Sequence, residues 1–272
     1  MLGLPSLALA KPTPSLPVLK VPGTDAIDLV LVRAGQFQMG SPATERKREG
    51  NETQHRVTIT RDFYLGKTEV TQAQYEAVMG YNPTATEHRY FEAANVGSHK
   101  PVVGVTFEDA EAFCAKLSEQ TGRKVRLPTE AEWELACKGG GQAAGPGPFS
   151  PGVTEENLSA YAWFAKTARL SEEVGLKKPT NLGLLDLHGN VWEWTSDWFA
   201  PYESGDAVDP QGPATSTKVR VFRGGCSFNP LHLQRCSFRH AVSPEYKDAA
   251  IGFRILVEAP HHPASRRKAP PR

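Results

Sequence analysis

Three stretches of the chain open alike. Thr71 precedes an apolar-polar run over 72–80, Thr106 one over 107–122, and Thr129 one over 130–139. Three residues after each threonine stands Gln74, Asp109 or Glu132. A threonine hydroxyl at a helix start accepts a hydrogen bond from the third residue's backbone N–H, and that residue's side chain reaches back to the threonine N–H. The spacing therefore predicts three capped helices. Phe107, Ala110, Phe113, Cys114 and Leu117 recur at intervals of three and four, and should form the buried stripe of the second. Gly122 and Gly139 suit the left-handed residue that ends a helix.

Elsewhere the pattern alternates. Residues 28–39 are rich in strand formers and break at Ala34-Gly35, which predicts a hairpin. Residues 56–65 alternate as a half-buried strand does. Short strands are expected near 191–195, 219–223 and 251–257, and residues 138–156 read as loop. No internal repeat and no inner boundary show. The pattern predicts an extended segment over 1–27, one domain over 28–258, and a disordered, proline-rich basic tail over 259–272.

Composition sharpens this picture. The 272 residues include 24 Gly and 22 Pro, so turns should be many and regular elements short. A net charge of +1 gives no pull toward nucleic acid. No apolar run approaches the roughly 20 residues a membrane helix needs. Met1 to Ala10 is apolar and ends in Ala8-Leu9-Ala10, as a signal cleavage site would, but it has no basic start and contains Pro5. A soluble chain is expected, in the cytoplasm rather than exported, with export left open.

The four cysteines form no C-x-x-C, which argues against a zinc ribbon but leaves room for one bridge. Gly66-Lys67-Thr68 lacks the upstream glycine of a phosphate loop, and neither H-E-x-x-H nor G-x-S-x-G occurs.

Several segments then fall into a known order. Phe63-Tyr64-Leu65-Gly66-Lys67-Thr68-Glu69-Val70-Thr71 is followed by Arg126-Leu127-Pro128-Thr129-Glu130-Ala131-Glu132-Trp133-Glu134. Next come Gly189-Asn190-Val191-Trp192-Glu193-Trp194, Arg223-Gly224-Gly225 and Gly252-Phe253-Arg254. In this order and spacing the chain resembles the formylglycine-generating enzyme (sulfatase-modifying factor) family. The resemblance implies an α+β, C-type-lectin-like fold with much irregular chain. It also implies a disulfide between Cys137 and Cys236, and a calcium ion at Asp186 and Asn190, whose oxygens suit a hard cation. Cys114 matches a family cysteine whose partner position here holds Ile255.

The family's oxidase chemistry, as the resemblance implies, uses copper held by two thiolates. Soft sulfur ligands suit Cu(I). Those cysteines lie five apart, the first four residues past the Gly-Gly; this chain has Asn229 and Gln234 there. Cys226 directly follows the Gly-Gly and reads as a small loop residue.

The frame from Arg223 to Arg254 also resembles the variable proteins of diversity-generating retroelements, which carry a randomised C-terminal region on the same fold. Between the frame positions lie Ser227, Phe228, Asn229, Leu231, His232, Phe238, His240, Val242, Tyr246 and Asp248. Aromatic and histidine side chains on loops are what a binding surface uses. These ten residues are expected to form an exposed face for a protein or other surface ligand. Two alternatives stay open: a metal-dependent oxidase or oxygenase with another site, and an accessory domain with no ligand.

Overall fold

The computed structural model describes residues 18–86, 93–141, 145 and 147–259. The expected leader over 1–10 and nearly all of the expected tail lie outside the described residues.

The three predicted helices form: α1 (Gln72–Met79), α2 (Phe107–Thr121) and α3 (Glu130–Cys137). Each has its threonine cap and the reciprocal bond from the third residue. Gly80 and Gly122 end the first two in the left-handed region, at φ 89° and 64°. The third ends at Lys138, and Gly139 follows at φ 97°. The five apolar residues of the α2 stripe are all buried.

The strands form three sheets. The largest is ordered β1 (Val18–Leu19), β2 (Ile27–Val32), β5 (Phe63–Gly66), β12 (Leu256–Glu258), β6 (Val125–Arg126). A second is ordered β10 (His240–Val242), β9 (Arg220–Arg223), β7 (Trp192–Trp198), β11 (Ile251–Gly252). The third is ordered β3 (Gly35–Met39), β4 (His55–Ile59), β8 (Ala207–Val208). This is the expected α+β architecture of short elements and curled sheets.

Two strand expectations are corrected. Residues 28–39 are not a hairpin: β2 pairs with β1 and β5, while β3 pairs with β4 and β8. The chain leaves one sheet at Ala34-Gly35 and enters another. Gly35 lies so close to Gly141 that a Cβ there would meet its Cα at 2.7 Å. Likewise 56–65 is two strands in two sheets. The folded unit also begins before residue 28, because β1 pairs with β2 and Leu19, Val21 and Ile27 are buried.

Buried charge joins these layers. Arg254, fully buried, binds both Glu193 oxygens at 2.6 Å and donates to the Gly66 and Leu185 carbonyls. Glu193 also accepts from the Trp133 indole at 2.7 Å. Arg223, equally buried, reaches Glu130 and Glu134 of α3, and Lys138 approaches Glu134 at 2.8 Å. Arg239 grips Glu130 through two nitrogens, at 2.8 and 2.6 Å. Burial alone would raise the Glu134 carboxyl, but Lys138 and Arg223 outweigh it and hold it below its ordinary range.

Two outcomes follow. Arg254→Met strands Glu193 in the core, and removing one partner of a buried pair costs about 3–5 kcal/mol; urea unfolding should show that loss. Asp197 accepts from the Glu130 N–H at 2.8 Å. Burial, then the charge of Glu130, pushes it from 3.8 to about 7. Between those values the native state keeps a proton that the unfolded chain has released, so this group's contribution falls as pH rises through the window. Asp197→Asn should remove that part of the pH dependence of the unfolding free energy while keeping the acceptor.

Candidate functional site

The segment after Gly224-Gly225 is where the sequence places the binding residues. Both glycines sit at positive φ, 98° and 77°. A Cβ on Gly225 would meet the Gln234 side chain at 2.5 Å, so the turn passes directly over that carboxamide. From there the chain runs through a short turn of helix at Leu231–Gln234 into β10.

Asn229 and Gln234 knit this loop together. The Asn229 Oδ1 accepts from the Cys226 N–H at 3.1 Å and the Cys226 Sγ at 3.0 Å. Gln234 Nε2 donates to the carbonyls of Cys226 and Asn229, at 3.2 and 3.4 Å. Cys226 is fully buried, and burial pushes its thiol up to about 12. A nucleophilic or metal-binding cysteine needs the thiolate, so Cys226 is a packing residue here. The two carboxamides do locally what a bound metal would do, tying two points of one loop.

The ten expected face residues divide. Phe228, His240 and Tyr246 are exposed, with 53% for Phe228 and 44% for Tyr246. His240 stacks on Phe222 with ring centroids 5.1 Å apart and an interplanar angle of 10°. The Tyr246 hydroxyl donates to Asp248, which also caps the Ala250 N–H. Asn229, Leu231, His232, Val242 and Asp248 are half-buried. Ser227 and Phe238 are not on the surface. Ser227 donates its N–H to the Asn190 carbonyl, and Phe238, 6% exposed, packs in the core against Trp192. Phe228, next to Ser227, points outward, whereas Ser237 and Arg239 on either side of Phe238 are buried with it.

Leu231 and His232 line a cleft of about 530 Å³, together with Arg46, Lys47, Phe149 and Arg235. Sequence reasoning missed its other wall, residues 45–47. The signal was there: the charged run from Glu45 to Glu52 faces Arg235, which binds both Glu45 and Glu52. Arg235 thus fastens residues 45–52 to the segment after Gly225.

The two residues expected at a calcium ion differ in what they have free. Asp186 and Asn190 both adopt left-handed φ, 59° and 61°. The Asn190 carboxamide is committed at both ends to Glu172, accepting from its N–H and donating to its carbonyl. Asp186 accepts from the Gly175 N–H through one oxygen. Its other oxygen and both oxygens of buried Glu69 have no hydrogen-bond partner among the described residues. Burial, then the charge of Asp186, raises Glu69 well above its ordinary range. Asn190 is held as a turn-former by both ends of its carboxamide, while Asp186 keeps one oxygen unpartnered among the described residues.

Cys137 and Cys236 are joined as a disulfide, Cα atoms 5.6 Å apart, tying the end of α3 to the segment after Gly225. Cys114 and Cys226 are free and buried.

With this geometry in hand, comparison with known proteins places the chain. Residues 18–259 match the sulfatase-modifying factor enzyme 1-like domain. The formylglycine-generating enzyme of Mus musculus is 28% identical, over 85% of this chain and 75% of that protein. Among solved structures, Treponema denticola variable protein 1 superposes with a TM-score of 0.78 at 29% identity, covering 91% of this chain and all of that one. PvdO from Pseudomonas aeruginosa gives 0.75 at 26% identity, over 89% and 98%.

If Phe228 and Tyr246 are display residues, the double change Phe228→Ser, Tyr246→Ser should stay within about 0.5 kcal/mol per site. Phe238→Ala should cost about 3–5 kcal/mol. Thermal unfolding of the two variants side by side checks this; equal losses would make residues 228 and 246 core.

Proposed function

The chain belongs to the sulfatase-modifying factor enzyme 1-like family, and from that premise we propose that it is a non-catalytic module that binds a protein or other surface ligand. The observation that carries this reading is the loop at Asn229 and Gln234. Two carboxamides occupy the positions where, by the family resemblance, copper-binding thiolates would stand; Asn229 Oδ1 and Gln234 Nε2 bond inside the loop, and the Gln234 Oε1 has no partner among the described residues. A soft metal has no thiolate pair to bind there. Nearby Cys226 is buried and held as the thiol.

The likeness to a variable protein supports a display role on the same frame. The proposed face comprises Phe228, His240 and Tyr246, with Leu231 and His232 at the cleft and Asn229, Val242 and Asp248 between. Its mixture of aromatic, imidazole and polar groups is the chemistry of adaptable recognition. A second reading, an oxidase, is favoured by the identity to formylglycine-generating enzymes.

The two readings part on one assay. A sulfatase-type cysteine peptide incubated with the protein, oxygen and added copper should give no aldehyde product, with either the parent chain or a Cys226→Ala variant. Aldehyde formed by the parent and lost in the variant would establish the oxidase instead.

A further inference from the structure

The Cys137–Cys236 disulfide has a third neighbour, His188. The two sulfurs and a ring nitrogen of His188 all lie within 4.8 Å of one another. All three residues are buried, and none belongs to the proposed face. We infer that the reduced protein uses Cys137, Cys236 and His188 as a site for a thiophilic dication of the zinc(II) type.

The geometry is close to what such an ion needs. Zinc–sulfur distances of about 2.3 Å and zinc–nitrogen distances of about 2.0 Å place tetrahedral donors roughly 3.5–3.8 Å apart. Once the sulfur–sulfur bond is broken, the sulfurs separate to about that distance by side-chain rotation. The imidazole has one nitrogen to offer. His188 Nδ1 lies 2.8 Å from the Gln234 carbonyl and donates to it, which leaves the Nε2 lone pair free of a proton. A histidine that gives its other N–H to a carbonyl is the usual arrangement behind a metal ligand. Nε2 faces the Ser150 N–H at 3.2 Å and the Ser150 Oγ at 2.9 Å, a weak bond to replace and an oxygen for the fourth position.

Charge selects the ion. Two thiolates and a neutral imidazole carry −2, which a dication cancels and a monovalent ion does not. An uncompensated charge in a buried site is costly, so zinc(II) is favoured over copper(I). Entry is from the cleft: Pro148, Phe149 and Arg235 line it. The Cys236 N–H bonds the Pro148 carbonyl at 2.7 Å, and the Phe149 ring meets His188 edge-on at 5.5 Å.

The chemistry balances in two steps. A dithiol reductant supplies two electrons and two protons, cleaves the sulfur–sulfur bond to two thiols, and leaves as its own disulfide. The two thiols then bind zinc(II) and release two protons.

The test uses the full chain, reduced with a phosphine that is then removed without air. Cobalt(II) titrated into it should give one equivalent of thiolate-to-cobalt absorption, which zinc(II) bleaches; the oxidised protein should give none. Maleimide labelling read by peptide mass should show zinc protecting Cys137 and Cys236 and leaving Cys114 and Cys226 unchanged. His188→Gln should weaken binding by more than the about 10–100-fold that an outer-sphere change costs. The absence of the band, protection of Cys114 or Cys226 instead, full affinity in the His188 variant, or loss of near-ultraviolet circular dichroism on reduction would each overturn the proposal.

Discussion

Everything else in this structure depends on how five buried side chains share charge across three elements. Glu130 and Glu134 stand on successive turns of one face of α3, and Arg223 and Arg239 come to them from β9 and from the residue before β10. Lys138 completes the set from the helix end. No member is exposed, so no pair is weakened by water or salt as a surface pair would be. Such pairs return little net stability, because stripping water from the ions offsets the attraction. What they do impose is arrangement, since any other packing would leave an unpaired ion in the core. Arg223 and Arg239 bracket the first part of the segment that carries the proposed face, from Ser227 to Phe238, and hold it at both ends.

That arrangement separates frame from face. Arg254 and Glu193 do for the Gly66 and Leu185 carbonyls what Arg223 does for the Cys236 carbonyl: a guanidinium satisfies a backbone group that has left regular structure. A fold with this much irregular chain needs such donors, because buried carbonyls must find partners. On the proposed reading, residues between the anchors that point outward carry little of the fold. The same logic explains the acidic motif of α3: its carboxylates are buried and paired with arginine or lysine.

Much of this was legible in the sequence. Three threonine caps, each with its third-residue partner, predicted three helices, because capping is local chemistry between neighbours in the chain. The failures came where partners are distant. Ala34-Gly35 and the break at residues 60–62 look like a hairpin turn and a strand continuation, but both are places where the chain changes sheet. Only the partner strands, far away in sequence, decide that. Ser227 and Phe238 were placed on the face by their position between frame residues; the Gly224-Gly225 turn and the packing of Trp192 put them inside. The charged wall from Glu45 to Glu52 was visible as a run of ions, yet its role needed Arg235, more than 180 residues later.

On the proposed reading the anchors specify the fold and the outward positions do not. The direct measurement is a library of the full chain, randomised together at Phe228, His240 and Tyr246, displayed and challenged with protease, with survivors sequenced. If the account is right, survivors carry polar, charged and apolar residues at all three positions, in proportions close to those of the unselected library. If survivors return to the parent aromatic residues at these positions, the outward side chains hold the fold, and the separation of frame from face is contradicted.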